Sequence, residues 1–230
     1  MKSALICAAF AAAVSLCSGE TVFKLDFPNR EFKPQSRKMK QSNKPDIGPE
    51  NFIETPDGKF AFMLSDANAR KKQTPNFSAA AGFPYRAGCV ELTFKVIKQQ
   101  LRSKVRLLHV FSPAKNGGST LIYYFFINEN NGFSSMIQCR NKQCKISIPS
   151  HFIKKDIFNT VKVAWNSKNM TIFLNGKKYE DAALPEGYAE EAVKPRSWST
   201  FGLLQTVVPD GDKWENRAAI SSVTVEETAE

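Results

Sequence analysis

The stretch Phe158-Asn159-Thr160-Val161-Lys162-Val163-Ala164-Trp165-Asn166, with Met170-Thr171-Ile172-Phe173-Leu174-Asn175-Gly176-Lys177 close behind it, decides how this chain is read. Apolar residues alternate along it, so Val161, Val163 and Trp165 share one face of an extended strand while Lys162 and Ala164 take the other. Asn175-Gly176 supplies the positive-φ pair that a tight hairpin requires, and Asn131-Gly132 offers a second such pair between apolar runs. Outward from here the same strand signals recur at residues 21–27, 59–64, 89–97, 105–111, 121–127, 133–139 and 144–148, and again at 197–205 and 218–226. Gly, Asn, Pro and Lys clusters separate them. No long segment of period 3.6 competes, and short helical turns fit only at 150–157 and 186–193. The reading is all-β, an antiparallel two-sheet β-sandwich in which each alternating strand gives one face to the core.

The same residues resemble the laminin-G-like family. In that family an aromatic opens a strand of alternating valines that ends in tryptophan, and a hairpin with an Asp/Asn-Gly-Lys turn follows. Phe201-Gly202-Leu203-Leu204 and Ile220-Ser221-Ser222-Val223-Thr224-Val225 are similar to its closing pattern, a glycine-containing strand and a last strand that packs beside the first. The match covers residues 158–227 and fades before 105. It implies the concanavalin-type jelly roll of the wider lectin and glucanase superfamily. It also implies calcium on loop carboxylates, for which Asp210 with Asp212, and Asp66 with Asn68, are the candidates; solvated turn residues are the alternative, because calcium wants six to eight oxygens.

Met1-Lys2 and the apolar, alanine-rich run through Leu16 read as a signal peptide over residues 1–19. The run is shorter than the ~20 residues that span a bilayer. Cys17 raises lipidation as an alternative, against which Leu16 stands where a small residue is usual. Removing the leader leaves 211 residues (230 minus 19) and suggests one domain over 20–230. Within it, residues 28–50 carry Pro34, Pro45 and Pro49 with six Lys or Arg, and read as a polar excursion. The expected location is secreted or extracytoplasmic.

With 32 Lys+Arg against 22 Asp+Glu, and only Lys2 in the leader, the mature charge is about 31 minus 22, or +9. A polymeric partner is then acidic rather than basic, and no nucleic-acid motif appears. A lysine-rich band runs from Lys95 through Lys98, Arg102 and Lys104 to Arg106. It suits uronate or sulfate groups, or simply keeps an edge strand soluble.

No strand carries the alternating carboxylates that glycoside hydrolases of this fold need. The lyase pattern of the fold, an Arg-rich strand and a Gln-x-His strand with a tyrosine base, fails at Met136-Ile137-Gln138-Cys139, where the histidine is missing. His109 and His151 read as core or surface residues. Binding is expected to fall to aromatics. Trp214 and Trp198 are the stacking candidates, and the run Tyr123-Tyr124-Phe125-Phe126 sends one pair inward and the other outward, giving Tyr124 with Lys98 and Arg102 as further ligand contacts. Cys139 and Cys144 flank a polar turn and are expected to form a disulfide; Cys89 is left as a buried thiol. Asn76-Phe77-Ser78 and Asn169-Met170-Thr171 are glycosylation sequons. Three functions stay open: a non-catalytic carbohydrate-binding or adhesion module for anionic glycans, a divergent glycan-cleaving hydrolase or lyase, and a structural or protein-binding domain of an envelope or matrix.

Overall fold

The computed structural model describes residues 19–36, 39–43, 46–64, 74–78, 82–97, 104–115, 119–207 and 218–229. Its first strands are β1 (Glu20–Asp26), β2 (Gln35–Ser36), β3 (Lys40–Gln41), β4 (Phe52–Glu54), β5 (Phe60–Phe62), β6 (Asn76–Ser78), β7 (Gly88–Val96) and β8 (Lys104–Ser112). They continue as β9 (Leu121–Ile127), β10 (Phe133–Cys139), β11 (Lys142–Ile148), β12 (Asn159–Trp165), β13 (Asn169–Leu174), β14 (Lys177–Ala183), β15 (Thr200–Val207) and β16 (Ala218–Glu227). The helix α1 (Tyr188–Ala192) and a 3-10 turn at Ser150–Phe152 occupy the two places where sequence allowed helical turns.

Two antiparallel sheets face each other. One runs β14-β13-β12-β7-β16-β1-β2, with β5 attached to β16 and β4 to β5; the other runs β11-β10-β9-β8-β15-β6-β3. This is the concanavalin-like jelly roll. The last strand lies beside the first, Val225 opposite Phe23 and Val223 opposite Leu25. The deciding stretch forms β12, where Val161, Val163 and Trp165 are buried against the opposite sheet. Trp165 stacks on Phe83 at 5.5 Å and donates its indole N–H to Pro84 O at 3.0 Å. A second aromatic cluster joins Phe23, Phe77 and Phe201 across the sheets, with centroids 4.8 to 5.7 Å apart.

Asn175 and Gly176 adopt φ of 48° and 80° in the two-residue turn between β13 and β14, as their sequence requires. Asn131-Gly132 behaves differently. Only Asn131 has positive φ, and Asn128 bonds across to Gly132, leaving Glu129, Asn130 and Asn131 as a three-residue loop. Gly132 is needed for clearance, because a Cβ there would meet Ile148 O at 2.5 Å.

Two expectations are corrected. Residues 28–50 are not only an excursion: β2 pairs with β1 in one sheet, β3 with β6 in the other, and Met39 between them is buried. Cys139 and Cys144 are free thiols. Their hairpin turns on only two residues, Arg140 and Asn141, both at positive φ, which sets Cys139 opposite Lys142 and Cys144 opposite Ile137. The cysteines are diagonal neighbours, a relation that spans roughly 7 to 8 Å, beyond the ~4.4 to 6.8 Å between Cα atoms that a disulfide needs. Cys89 is buried, and its thiol donates to Glu226 Oε2 at 3.3 Å.

Candidate functional site

Alternation along the seven-stranded sheet sorts its residues into a core set and an outer set. From β8, β9 and β10 the outer set is Arg106, His109 and Phe111, then Ile122, Tyr124 and Phe126, then Ser134, Met136 and Gln138. Tyr123 and Phe125 are fully buried, as expected for the opposite pair of the aromatic run. Asn76, Gly202 and Lys145 extend the outer face on the flanking strands.

Arg106 reaches this face through a β-bulge. Leu108 pairs with Phe125, but Arg106 pairs with Phe126, so both Leu107 and Leu108 turn into the core. Regular pairing would have pointed Arg106 inward. Its guanidinium carbon instead sits 4.5 Å from the Tyr124 ring centroid. His109 pairs directly with Tyr124 and lies over Gly202, where a Cβ would fall 2.1 Å from its Cε1. Glycine therefore makes the room for the imidazole. Burial, and then the Arg106 charge, lower the His109 pKa to about 4, so the ring is neutral at neutral pH. Its Nδ1 is buried and has no hydrogen-bond partner among the described residues.

Toward the other end of β8, Trp198 packs on Phe111 at 5.5 Å and remains half exposed, at 53%. Beyond Arg106, Lys104 and Lys145 lie 5.9 and 5.7 Å from the Phe126 centroid. The face thus carries rings at both ends of a central cation. No Asp or Glu occurs among the described residues of its outer set. Nor do the described residues contain a cluster of three or more His, Cys, Asp and Glu able to hold a metal.

Of the residues singled out in the sequence, Trp198 and Tyr124 lie on this face. Trp214, Lys98, Arg102, Asp210 and Asp212, with Asp66 and Asn68, lie outside the described residues, as does the leader through residue 18. The basic band from Lys95 to Arg106 is divided. Lys95 belongs to β7 in the nine-stranded sheet, whereas Arg106 belongs to the other. His109 and Asn76 were missed. The signal was the parity of His109 with Phe111, masked by the bulge that put Arg106 on the same side.

No family model and no curated protein matches this chain. Solved structures do. The binding domain of botulinum neurotoxin serotype C1 is similar with a TM-score of 0.57 at 12% identity, over 92% of this chain and 49% of that one. SCLam, a non-specific endo-β-1,3(4)-glucanase from family GH16, gives 0.56 at 12% identity over 94% of each chain. A family 7 alginate lyase, A1-II', in complex with its substrate, gives 0.54 at 10% identity, over 90% of this chain and 94% of that one. The chain spans about half the length of the toxin binding domains and nearly all of the two enzymes. At these identities the likeness establishes the jelly-roll sandwich. None of the described helices is long and apolar enough to cross a membrane.

Proposed function

We propose that this chain is a secreted, laminin-G-like carbohydrate-binding module, with residues 20–230 as one domain, and that it holds an anionic glycan on the outer face of the seven-stranded sheet. The observation that carries this is the Arg106–Tyr124 stack, flanked by His109 and by the Trp198–Phe111 pair, on a face whose described outer residues include no carboxylate. Rings supply stacking area for sugar faces, and the guanidinium supplies paired donors for a uronate or sulfate. The glucanase and the alginate lyase among the similar folds support a glycan as the partner class. Hydrolysis needs two carboxylates at the reacting bond, which this face does not supply from its described residues.

The test is a panel of acidic and neutral polysaccharides, run with and without calcium. Alginate or a sulfated glycan should be retained in preference to neutral glucans, and Arg106→Ala should remove that preference. Equal retention of neutral and acidic polymers would overturn the reading. The calcium arm tests Asp210 and Asp212, which we propose as ligands should binding require the ion.

One observation favours a second reading, glycan cleavage by β-elimination. His109 and Tyr124 are directly opposed, with Arg106 beside them to neutralise a uronate carboxylate. A base on this face would take the sugar proton next to the carboxylate, the bond to the leaving oxygen would break, and that oxygen would be protonated. The products are an unsaturated uronate and a shortened chain. Ultraviolet absorbance of the unsaturated product, lost in Tyr124→Phe, separates this from binding alone.

A further inference from the structure

Two motifs of the form Asn-x-Ser/Thr lie in strands, Asn76-Phe77-Ser78 in β6 and Asn169-Met170-Thr171 in β13. A glycan is bulky and needs solvent around it, so such a motif serves as an acceptor where its asparagine stands at the surface of an exported protein. The fold treats the two in opposite ways.

Asn169 opens β13 at the end of the turn that leaves β12. Asn166 makes this turn. Its Oδ1 accepts the amides of Lys168 and Asn169 at 2.8 and 2.9 Å, and its own amide donates to Asn169 O at 3.1 Å. These bonds engage only the main chain of Asn169, and the residue is exposed. Met170 and Ile172 are fully buried, so Asn169 and Thr171 share the outer face of the nine-stranded sheet, carboxamide and hydroxyl on one side two residues apart. The neighbour opposite Asn169 is Ala183, an exposed methyl at the end of β14.

Asn76 is half-buried in a strand paired on both sides, with β15 through Gly202 and with β3 through Ser78 and Phe77. Its Nδ2, the atom that would carry a sugar, donates to Thr74 O at 3.0 Å and to Thr74 Oγ1 at 3.5 Å, and Thr74 is buried. Thr74 O also accepts Asn43 Nδ2 at 2.7 Å, while Asn43 Oδ1 takes the Asn76 amide at 2.8 Å. Asn76 Oδ1 lies 2.6 Å from where a Cβ on Gly202 would stand. A sugar on Asn76 would need volume that Thr74 already fills, and would break the bonds that satisfy these half-buried amides.

We propose that Asn169 is an N-glycosylation site of this protein and that Asn76 is not, whenever the chain passes through a secretory pathway holding an oligosaccharyl transferase. The inference rests on the secreted reading. The Asn169 Nδ2 attacks the anomeric carbon of an N-acetylglucosamine carried on a polyprenyl diphosphate. The N–C bond forms as the C–O bond to the diphosphate breaks, one amide proton passes to a base of the transferase, and the polyprenyl diphosphate leaves; the step is redox-neutral. A transferase that meets the extended chain can reach either motif, so the fold acts as the filter. A chain modified at Asn76 cannot close the β3–β6–β15 edge, whereas one modified at Asn169 folds unhindered. The glycan then stands on the sheet opposite the Arg106–Tyr124 face.

The experiment expresses the full chain with its own leader in human cells and collects the protein from the medium. Peptide N-glycosidase in heavy-oxygen water turns each glycosylated asparagine into a labelled aspartate, and peptide mass mapping reads both positions. Asn169 should be labelled and Asn76 unlabelled. Asn169→Gln and Thr171→Val should each abolish the glycan shift on a gel, Thr171→Ser should keep it, and Ser78→Ala, which destroys the other motif while sparing the Asn76 bonds, should change nothing. Asn169 unlabelled in protein from the medium, or Asn76 labelled there, overturns the proposal and leaves the secreted reading standing. A chain that stays inside the cell without a glycan overturns both.

Discussion

Arg106 stacks on Tyr124, one strand away and two residues out of direct register, because the bulge at Leu107 turns it out of the core. The contact fixes a cation on an aromatic platform instead of leaving it to sample solvent, and a stack of this kind is worth about 0.5 to 2 kcal/mol. Arg106→Lys should therefore retain attraction to an acidic glycan but lose part of the affinity, whereas Arg106→Ala should lose most of it. Calorimetry at rising salt distinguishes charge from stacking. As the Debye length falls from ~10 Å at 0.1 M to ~3 Å at 1 M, the wild-type affinity should drop and the residual affinity of Arg106→Ala should hardly respond.

Trp165 closes the valine alternation of β12 and is buried to 3%. Trp165→Ala should lower stability by about 3 to 5 kcal/mol through the cavity beside Phe83 and Tyr123. Trp165→Phe keeps most of the packing but leaves Pro84 O without its indole donor, so it should fall between the two. Denaturant melts of the three proteins give the order directly.

The deciding stretch could be read because period-2 burial and an Asn-Gly turn are local properties: Val161, Val163, Trp165 and the Asn175-Gly176 turn occupy the places their sequence assigns. The pairing of the last strand with the first followed from the laminin-G-like pattern rather than from alternation. What was not legible depends on register. Cys139 and Cys144 look like facing positions until Arg140 and Asn141 are known to make the whole turn. Arg106 looks like part of the band that holds Lys95 until the two fall in different sheets. The outer site itself is an outcome of one extra residue in β8, and a bulge leaves no mark on the hydrophobic pattern that would locate it.

The diagonal placement of Cys139 and Cys144 predicts that no bond joins them in the folded protein. Burial raises both thiol pKa values, with Glu191 adding to the effect at Cys139 and Glu180 at Cys144, which keeps the reactive thiolates scarce. Unfolding in denaturant without reductant should expose both to alkylation, and mass mapping should find each modified. Melting temperature should not change on adding reductant.

His109 titrates low, at about 4, because it is largely buried beside Arg106. An unfolded histidine takes up its proton near pH 6.5, before the folded one does. The His109 contribution to stability is thus fully present above about pH 6.5 and is lost as pH falls toward 4. His109→Gln should flatten the stability profile over that window. Glycan affinity should stay level from neutral pH down to about 5.5, since a neutral imidazole adds no charge there and Arg106 carries it throughout.

Glu191 should govern stability at still lower pH. Its side chain, 2% exposed on α1, holds three segments together: Oε1 accepts Arg140 at 3.1 Å and Lys194 at 2.7 Å, and Oε2 accepts the Ser119 amide at 3.0 Å. Burial pushes the carboxyl pKa up, but the bonds from Lys194, the Ser119 amide and Arg140 together outweigh it and leave it below the ordinary value. The unfolded chain therefore binds this proton first as pH falls. Its stabilisation is complete above the unfolded value of ~4.3 and disappears as pH drops through the lower folded value. Glu191→Gln removes the charge while keeping the shape, so at pH 7 it should cost about 1.5 to 3 kcal/mol, the range for hydrogen bonds made to a charged group. Below the folded pKa the two proteins should converge. Urea unfolding at a series of pH values reads this, and a constant gap between wild type and Glu191→Gln down to the lowest pH would show that the loss at pH 7 comes from packing rather than from the ionised carboxylate.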